Sequence, residues 1–481
     1  MNAPDNRQDR EERRDHRDHQ DRKPREDVVV VGGGLAGMSA AVALAEAGRR
    51  VTLLEWRPYV GGRAYSYEHP TVGEVIDSQH VVLGCCTNIL DLCAKAGIAD
   101  WIRWYDELVF LEPNGRRSSL RPGALPAPMH QTLSFLRAPM LSLRDKAAIA
   151  SGLARFLAGY PADDHESFAT WLRRTGQTER AIRHFWEPVV VGALNDGFER
   201  CSVKYAGKVF HESFLRSREA GRLGIPTRPL SEFFQPVARL AQEKGVDVRL
   251  RCGVSAIRQE GDGWVLTNDR GSEISASSVV LATDHQRTLK LLSTLPDGEG
   301  MAEGGAQFLS APITTVHLWF DRDVTELDHA VLLDTRIQWM FAKSRIRRWE
   351  KSRGSYLELV ISASFAELRS SPKQILQIAL EEAAGFFPAL SEAQLVKSNV
   401  LKEARATFSV TPGLDRFRPE QGTRWPGLFL AGDWTRTGWP STMEGAVRSG
   451  RLAAGTLLGD PRKFLTPELP ARGLMRFLPS V

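Results

Sequence analysis

Four consecutive valines running into a glycine cluster constrain this chain more than any other stretch. Asp27–Gly37 reads DVVVVGGGLAG, and an alanine-rich helical segment, Met38–Arg49, follows it. The valine run is short and apolar enough for a buried strand. Gly32, Gly34 and Gly37 have the spacing of a turn that lets a pyrophosphate approach bare backbone. Leu35 and Ala36 lie inside that turn, where the free amides and dipole of a helix N-terminus favour an anion. Val51–Glu55 reads as the next parallel strand. It ends on Glu55, followed by Trp56, near the roughly 20-residue offset of a carboxylate that meets a ribose.

A second element of the same kind stands near the other end. Gly427–Trp434 is an apolar strand closing on Ala431-Gly432-Asp433, and a helix begins near Thr442, with Met443, Gly445, Ala446 and Gly450 in it. A carboxylate at the carboxyl edge of a strand sits where α/β sheets bind ligands. The first-turn amides of the helix can face a ring carbonyl or a ribityl chain. Gly61-Gly62-Arg63-Ala64 adds a close backbone approach and a guanidinium suited to phosphate. Two separated nucleotide elements fit a long cofactor, FAD rather than NAD. The expected fold is α/β: a Rossmann-like FAD-binding domain assembled from residues 27–63, 231–289 and 405–460. An α+β substrate domain would come from 64–230 and 290–404, with a tail over 461–481.

Composition narrows the class. At 481 residues the chain holds roughly three domain-equivalents. Its net charge of +5 is too small to argue for nucleic acid, and fits rest against an anionic membrane equally well. Five cysteines without CxxC spacing imply neither a disulfide framework nor a metal site. Met1–Glu26 mixes Arg, Asp, Glu and His with no apolar core, so it reads as a disordered leader rather than a signal peptide. No run of 18 apolar residues occurs. Pro126–Tyr160 mixes Phe135, Leu136, Met140 and Leu141 with Arg137 and Arg144, and Gly473–Val481 has a weaker pattern of the same sort. Such segments either cover a core or lie in a membrane interface. The expected location is cytoplasmic, with peripheral contact on the inner face of the membrane.

GGGLAG with Glu55, then GGRA, then LAGDWTRTGWPSTMEGAVRSG resembles the flavin-containing amine oxidase and phytoene desaturase superfamily, from about Asp27 to Gly459. Asp77–Cys85, Leu125–Pro128 and Phe185–Asn195 resemble the hydroxysqualene dehydroxylases within it. That resemblance implies reductive replacement of an allylic hydroxyl on a C30 polyprenyl substrate, and association with other squalene-forming enzymes. It implies a long apolar tunnel, for which Trp186, Phe210, Phe214, Trp319, Trp339 and Trp439 are candidate walls. Each is individually more at home as a core residue. It also implies an acid to expel water, with Glu187, His80 and Asp196 as candidates and ordinary structural roles open to all three. Val254 would touch the adenine side by backbone contact, as the superfamily's matching position does. Trp434–Gly445 holds no cysteine, so FAD is expected to be non-covalent. A carotenoid-type desaturase or isomerase shares every motif, and the motifs do not set the direction of electron flow. An amine oxidase would need paired aromatics around the amine, and the chain has only seven tyrosines. A flavin-binding component without chemistry of its own stands as a rival from another class.

Overall fold

The computed structural model describes residues 26–298, 300 and 304–478. The expected leader lies outside the described residues except for Glu26, which opens the first strand, Glu26–Val31. Val28 to Val31 are buried. A strand apolar on both faces belongs inside a covered parallel sheet. It pairs in parallel with Val51–Glu55 on one side and Glu273–Leu281 on the other, and Asp247–Leu250 extends the sheet beyond Val51–Glu55.

Glu273–Leu281 is one long strand with two kinds of pairing. Its first half pairs antiparallel with Gly263–Asn268, and its second half pairs in parallel with Leu428–Leu430. The C-terminal segment thereby enters the same sheet as the valine run. Its helix, Met443–Leu457, packs across Leu35–Glu46. A Cβ on Gly450 would lie 2.1 Å from Ala36 O, so only glycine permits this approach.

The second sheet runs Leu395–Phe408, Ser310–Phe320, Ser355–Ser362, Trp339–Ala342, His329–Leu332, Leu108–Leu111, Arg117–Leu120. Leu395–Phe408 has no counterpart among the strands expected from sequence. It is an edge strand whose Lys397, Lys402, Glu403 and Arg405 hide any alternation, and charge is what keeps such an edge from pairing with other chains. The helical segment that opens at Glu179 is not one regular helix. Glu179–Ala181 continues through a wide π turn, Ile182–Trp186, into Glu187–Leu194. Pro188 offers no N–H to the preceding turn, and the relaxed π ladder ahead of it carries the helix past that gap.

A buried ionic cluster fastens the Asp77 segment and the start of the Leu230–Glu243 helix to the substrate sheet. Lys343 Nζ lies 2.6 Å from Asp77 Oδ1 and 2.7 Å from Glu358 Oε2, while Arg347 Nη2 reaches Asp77 at 2.9 Å. Asp77 also accepts the N–H of Leu230, at the start of the Leu230–Glu243 helix. Burial pushes both carboxyls up; at Asp77 the Lys343 and Arg347 charges win and hold it well below the usual range, whereas Glu358 stays raised. His317, bonded to Tyr356 and Thr315, is driven by burial down to about 3 and stays neutral. Removing one partner from such a cluster strands a buried charge. Lys343→Met is therefore expected to cost about 3–5 kcal/mol in urea unfolding. The stabilisation from Asp77 is in full force above the ordinary aspartate range, and is lost as pH falls through its depressed folded value.

Candidate functional site

The glycine turn is built for an anion. Gly34 caps Leu35–Glu46 with no side-chain hydrogen bond, and no acid stands in the first turn, so the leading amides remain free. Gly32 has φ +112°, and a Cβ on Gly37 would meet Gly32 O at 1.8 Å. Gly61 N donates to Gly33 O at 2.8 Å, which lays the GGR loop along the turn. A Cβ on Gly62 would be 3.1 Å from Gly34 Cα. Bare backbone thus faces bare backbone where phosphates must pass, and the residues present fit a dinucleotide.

Glu55 closes the adenosine end. Its Oε2 accepts from Gly33 N at 2.6 Å and its Oε1 from Arg57 N at 2.8 Å. Each oxygen keeps a second lone pair for a ribose hydroxyl. Cys252 N donates to Glu55 O at 2.9 Å, so the chain leading into the Val254–Glu260 strand runs beside this strand end. Trp56 is half exposed, with the Arg287 guanidinium 4.3 Å from its ring centroid.

The C-terminal loop supplies the opposite wall. Arg63 Nη2 lies 2.6 Å from Asp433 Oδ1, and Ser441 donates to Oδ2. Burial works to raise the Asp433 carboxyl, but Arg63 and Ser441 outweigh it and hold it down. Gly432 N donates to Ser449 Oγ at 2.8 Å. Thr442 Oγ1 caps the helix by accepting from Gly445 N at 3.0 Å, leaving Met443 and Ala446 half-buried at its start. Behind this wall stands Arg418, 1% exposed. It donates to the carbonyls of Asp433, Thr435 and Trp439, to Thr437 Oγ1 and to the Tyr205 hydroxyl. No motif marks it in the sequence. Glu444 is a second residue the sequence did not reveal: it accepts from Asn88 and Ile89, docking the Thr87–Lys95 helix on this wall.

The candidate catalytic and tunnel residues separate. His80 is half-buried, and Gln79 N fixes its segment to Glu358 at 2.6 Å. Its Nδ1 lies 2.9 Å from Ser78 O, which assigns the proton to Nδ1 and leaves Nε2 an acceptor; burial lowers its pKa. Glu187 is half-buried, makes no hydrogen bond among the described residues, and is raised by burial against the pull of Arg183. Asp196 is instead a structural group, paired with Arg200 Nε at 3.1 Å and accepting from Gly197 N. Trp186 and Phe210 are fully buried core rather than tunnel wall, and Phe214, half-buried, packs against the same cluster. They interlock with Phe156, Phe168, Trp171 and Phe185, and the Trp186 indole donates to Gln177 at 2.7 Å. Trp319 stacks on Tyr356 beside the ionic cluster. Trp439 and Trp339 differ in that Leu83 packs in the apolar cluster of each; like that of Trp319, their indole N–H groups are buried without a partner among the described residues. An apolar line therefore runs from the flavin-side loop through Leu83 to Phe341 and Trp339.

Glu112, His184 and Asp334 bring ligand atoms within 4.8 Å of one another. Arg116 and Arg180 already hold Glu112, so a cation there would face two guanidinium groups.

Residues 35–458 match the model of the flavin containing amine oxidoreductase family. The chain belongs to that family, and it is an FAD-dependent oxidoreductase. It is 27% identical over 464 residues to the 15-cis-phytoene desaturase of Glycine max, covering 92% of this chain and 80% of that one. It is 26% identical to the zeta-carotene desaturase of Synechocystis sp. over 92% of this chain and 100% of the relative. Among solved structures, cyclohexylamine oxidase from Brevibacterium oxydans superposes with a TM-score of 0.65 at 17% identity, over 91% of this chain and 99% of that one. That likeness shows the α/β fold with its amine-oxidase-type substrate domain.

Gly37→Val should lower bound flavin per polypeptide by about tenfold or more, read from absorbance after gel filtration, because a side chain there collides with Gly32 O. Acid precipitation should leave the flavin in the supernatant. The nearby Cys86 thiol is held protonated by its hydrogen bond with Cys85 and by burial, and so is a poor nucleophile.

Proposed function

We propose that the enzyme dehydrogenates a long polyene of the carotenoid type, using FAD as the two-electron acceptor. The observation that carries this is the near full-length similarity to phytoene and zeta-carotene desaturases. When bound, the flavin takes up or gives a hydride. The chain's own part is to hold the polyene along the apolar line from Trp439 to Trp339 and to keep water out. His80, kept neutral by burial with its Nε2 free, is the group suited to accept the proton lost from the neighbouring carbon.

One observation favours a second reading, reductive dehydroxylation of hydroxysqualene to squalene. Glu187 is a half-buried carboxyl with a raised pKa and no bonded partner among the described residues. Proton donation to a departing hydroxyl needs such a group, and dehydrogenation does not. Trp339 supports either substrate, because it packs both on Gly192 of the Glu187–Leu194 helix and beside Val81 and Leu83.

Paired anaerobic assays separate the two. Oxidised holoenzyme with 15-cis-phytoene should bleach its flavin while the polyene absorbance moves to longer wavelength; His80→Ala should slow this by about a hundredfold. Photoreduced holoenzyme with hydroxysqualene should form no squalene. Squalene formation that depends on Glu187, with inert phytoene, would install the second reading.

A further inference from the structure

Two stretches far apart in the chain meet on one face. Leu474 N donates to Ala127 O at 2.8 Å, and a Cβ on Gly473 would lie 2.5 Å from the same carbonyl. The turn Gly473–Phe477 is thus clamped against the segment leading into Thr132–Arg137. Met475 is buried in that contact, while Leu474 and Phe477 point out, 54% and 71% exposed.

Beside them Met129, on the 3-10 turn Met129–Gln131, and Leu133 and Leu136, on the short helix Thr132–Arg137, form an apolar stripe, and all three are exposed. Leu143, at the start of the next helix, is 79% exposed. Apolar side chains scattered singly over a surface need no explanation, but a stripe joined to a second apolar turn does.

The charge around this patch is mainly basic, with Glu219 an acid that feels Arg472. Arg137, Arg144, Arg472 and Arg476 are exposed, and none forms an ion pair with a described carboxylate. Between Arg121 and Arg155 the one carboxylate is Asp145, which is buried and bonded to Ser142 and Thr178. Arg476 lies with its guanidinium 4.6 Å from the Phe477 ring centroid, its stem along the apolar side chain and its head free.

We propose that this face docks on a bilayer containing anionic phospholipid. The Met129–Leu136 stripe and Phe477 enter the acyl boundary, and the four arginines meet lipid phosphates. A protein partner would have to bring carboxylates to every arginine and an apolar groove for the stripe. A lipid interface supplies both chemistries in parallel layers. The inference does not depend on which polyene the enzyme takes.

Co-sedimentation of the full-length holoprotein with sucrose-loaded vesicles tests it. Binding is expected to vesicles of phosphatidylcholine with phosphatidylglycerol, and to be weak with phosphatidylcholine alone. Leu133→Asp/Leu136→Asp should abolish it, while each of Arg137→Gln and Arg476→Gln should weaken it roughly fivefold at low salt. Unchanged flavin content and Tm in these variants exclude misfolding as the cause, and Phe477→Ser gives an independent lesion in the second segment. Equal sedimentation of wild type and Leu133→Asp/Leu136→Asp would overturn the proposal. So would indifference to phosphatidylglycerol, or self-association through this face in sedimentation velocity.

Discussion

A guanidinium shut away from water organises the cofactor side of this protein. Arg418 pairs with the Asp415 carboxylate only at 3.7 Å; its hydrogen bonds go to three main-chain carbonyls and two hydroxyls. A charged hydrogen bond contributes about 1.5–3 kcal/mol, and losing these acceptors would leave a buried guanidinium with its donors unmet. The loop from Asp433 to Trp439 is therefore bound to its present path. Asp433 can then hold Arg63 at 2.6 Å, and the GGR loop is tied to the opposite wall. The pocket is rigid where backbone must lie close to phosphates, and that rigidity originates in a residue outside every nucleotide motif.

The substrate side depends on a different kind of fixture. Asp77, Lys343 and Glu358 lie on three separate elements, and their mutual charge holds the segment bearing His80 on the second sheet. Asn195, at φ +53°, ends the Glu187–Leu194 helix and bonds to Ala311, Thr407 and Ala363, so the helix bearing Glu187 is anchored to the same sheet. Both candidate proton-handling groups thus ride on elements whose positions are set by buried polar contacts. Charged groups stay close to both: Asp77, Lys343 and Arg63 act on His80, and Arg183 acts on Glu187.

What could be read in the sequence was local. The valine run, the glycine turn, the Ala-Gly-Asp strand and the Leu108–Leu120 hairpin each declare themselves within about a dozen residues. Leu395–Phe408 did not, because an edge strand facing water takes whatever charges solubility favours. The helix that runs on through Pro188 gives no local signal, because a proline normally ends a helix and the π turn that accommodates it has no composition of its own. Arg418, Glu444 and Lys343 were invisible for a more general reason. A buried charge is recognised by its partners, and theirs lie on other elements. The aromatic residues erred the other way: Trp186 and Phe210 look like lining in a list, but only geometry distinguishes a ring facing a passage from a ring facing other rings.

The contact between Gly450 and Ala36 O also sets an order of events in the cell. The two helices that flank the cofactor are made at opposite ends of translation. The valine strand and its glycine turn leave the ribosome early and must wait, with one edge of the second half of Glu273–Leu281 open, until Leu428–Leu430 arrives to complete the sheet. A nascent chain interrupted before that point has no closed nucleotide pocket. It also displays an apolar strand edge of the kind that chaperones and proteases seek. Flavin capture in this architecture is therefore a late step, and the supply of cofactor is read only by chains that are nearly finished.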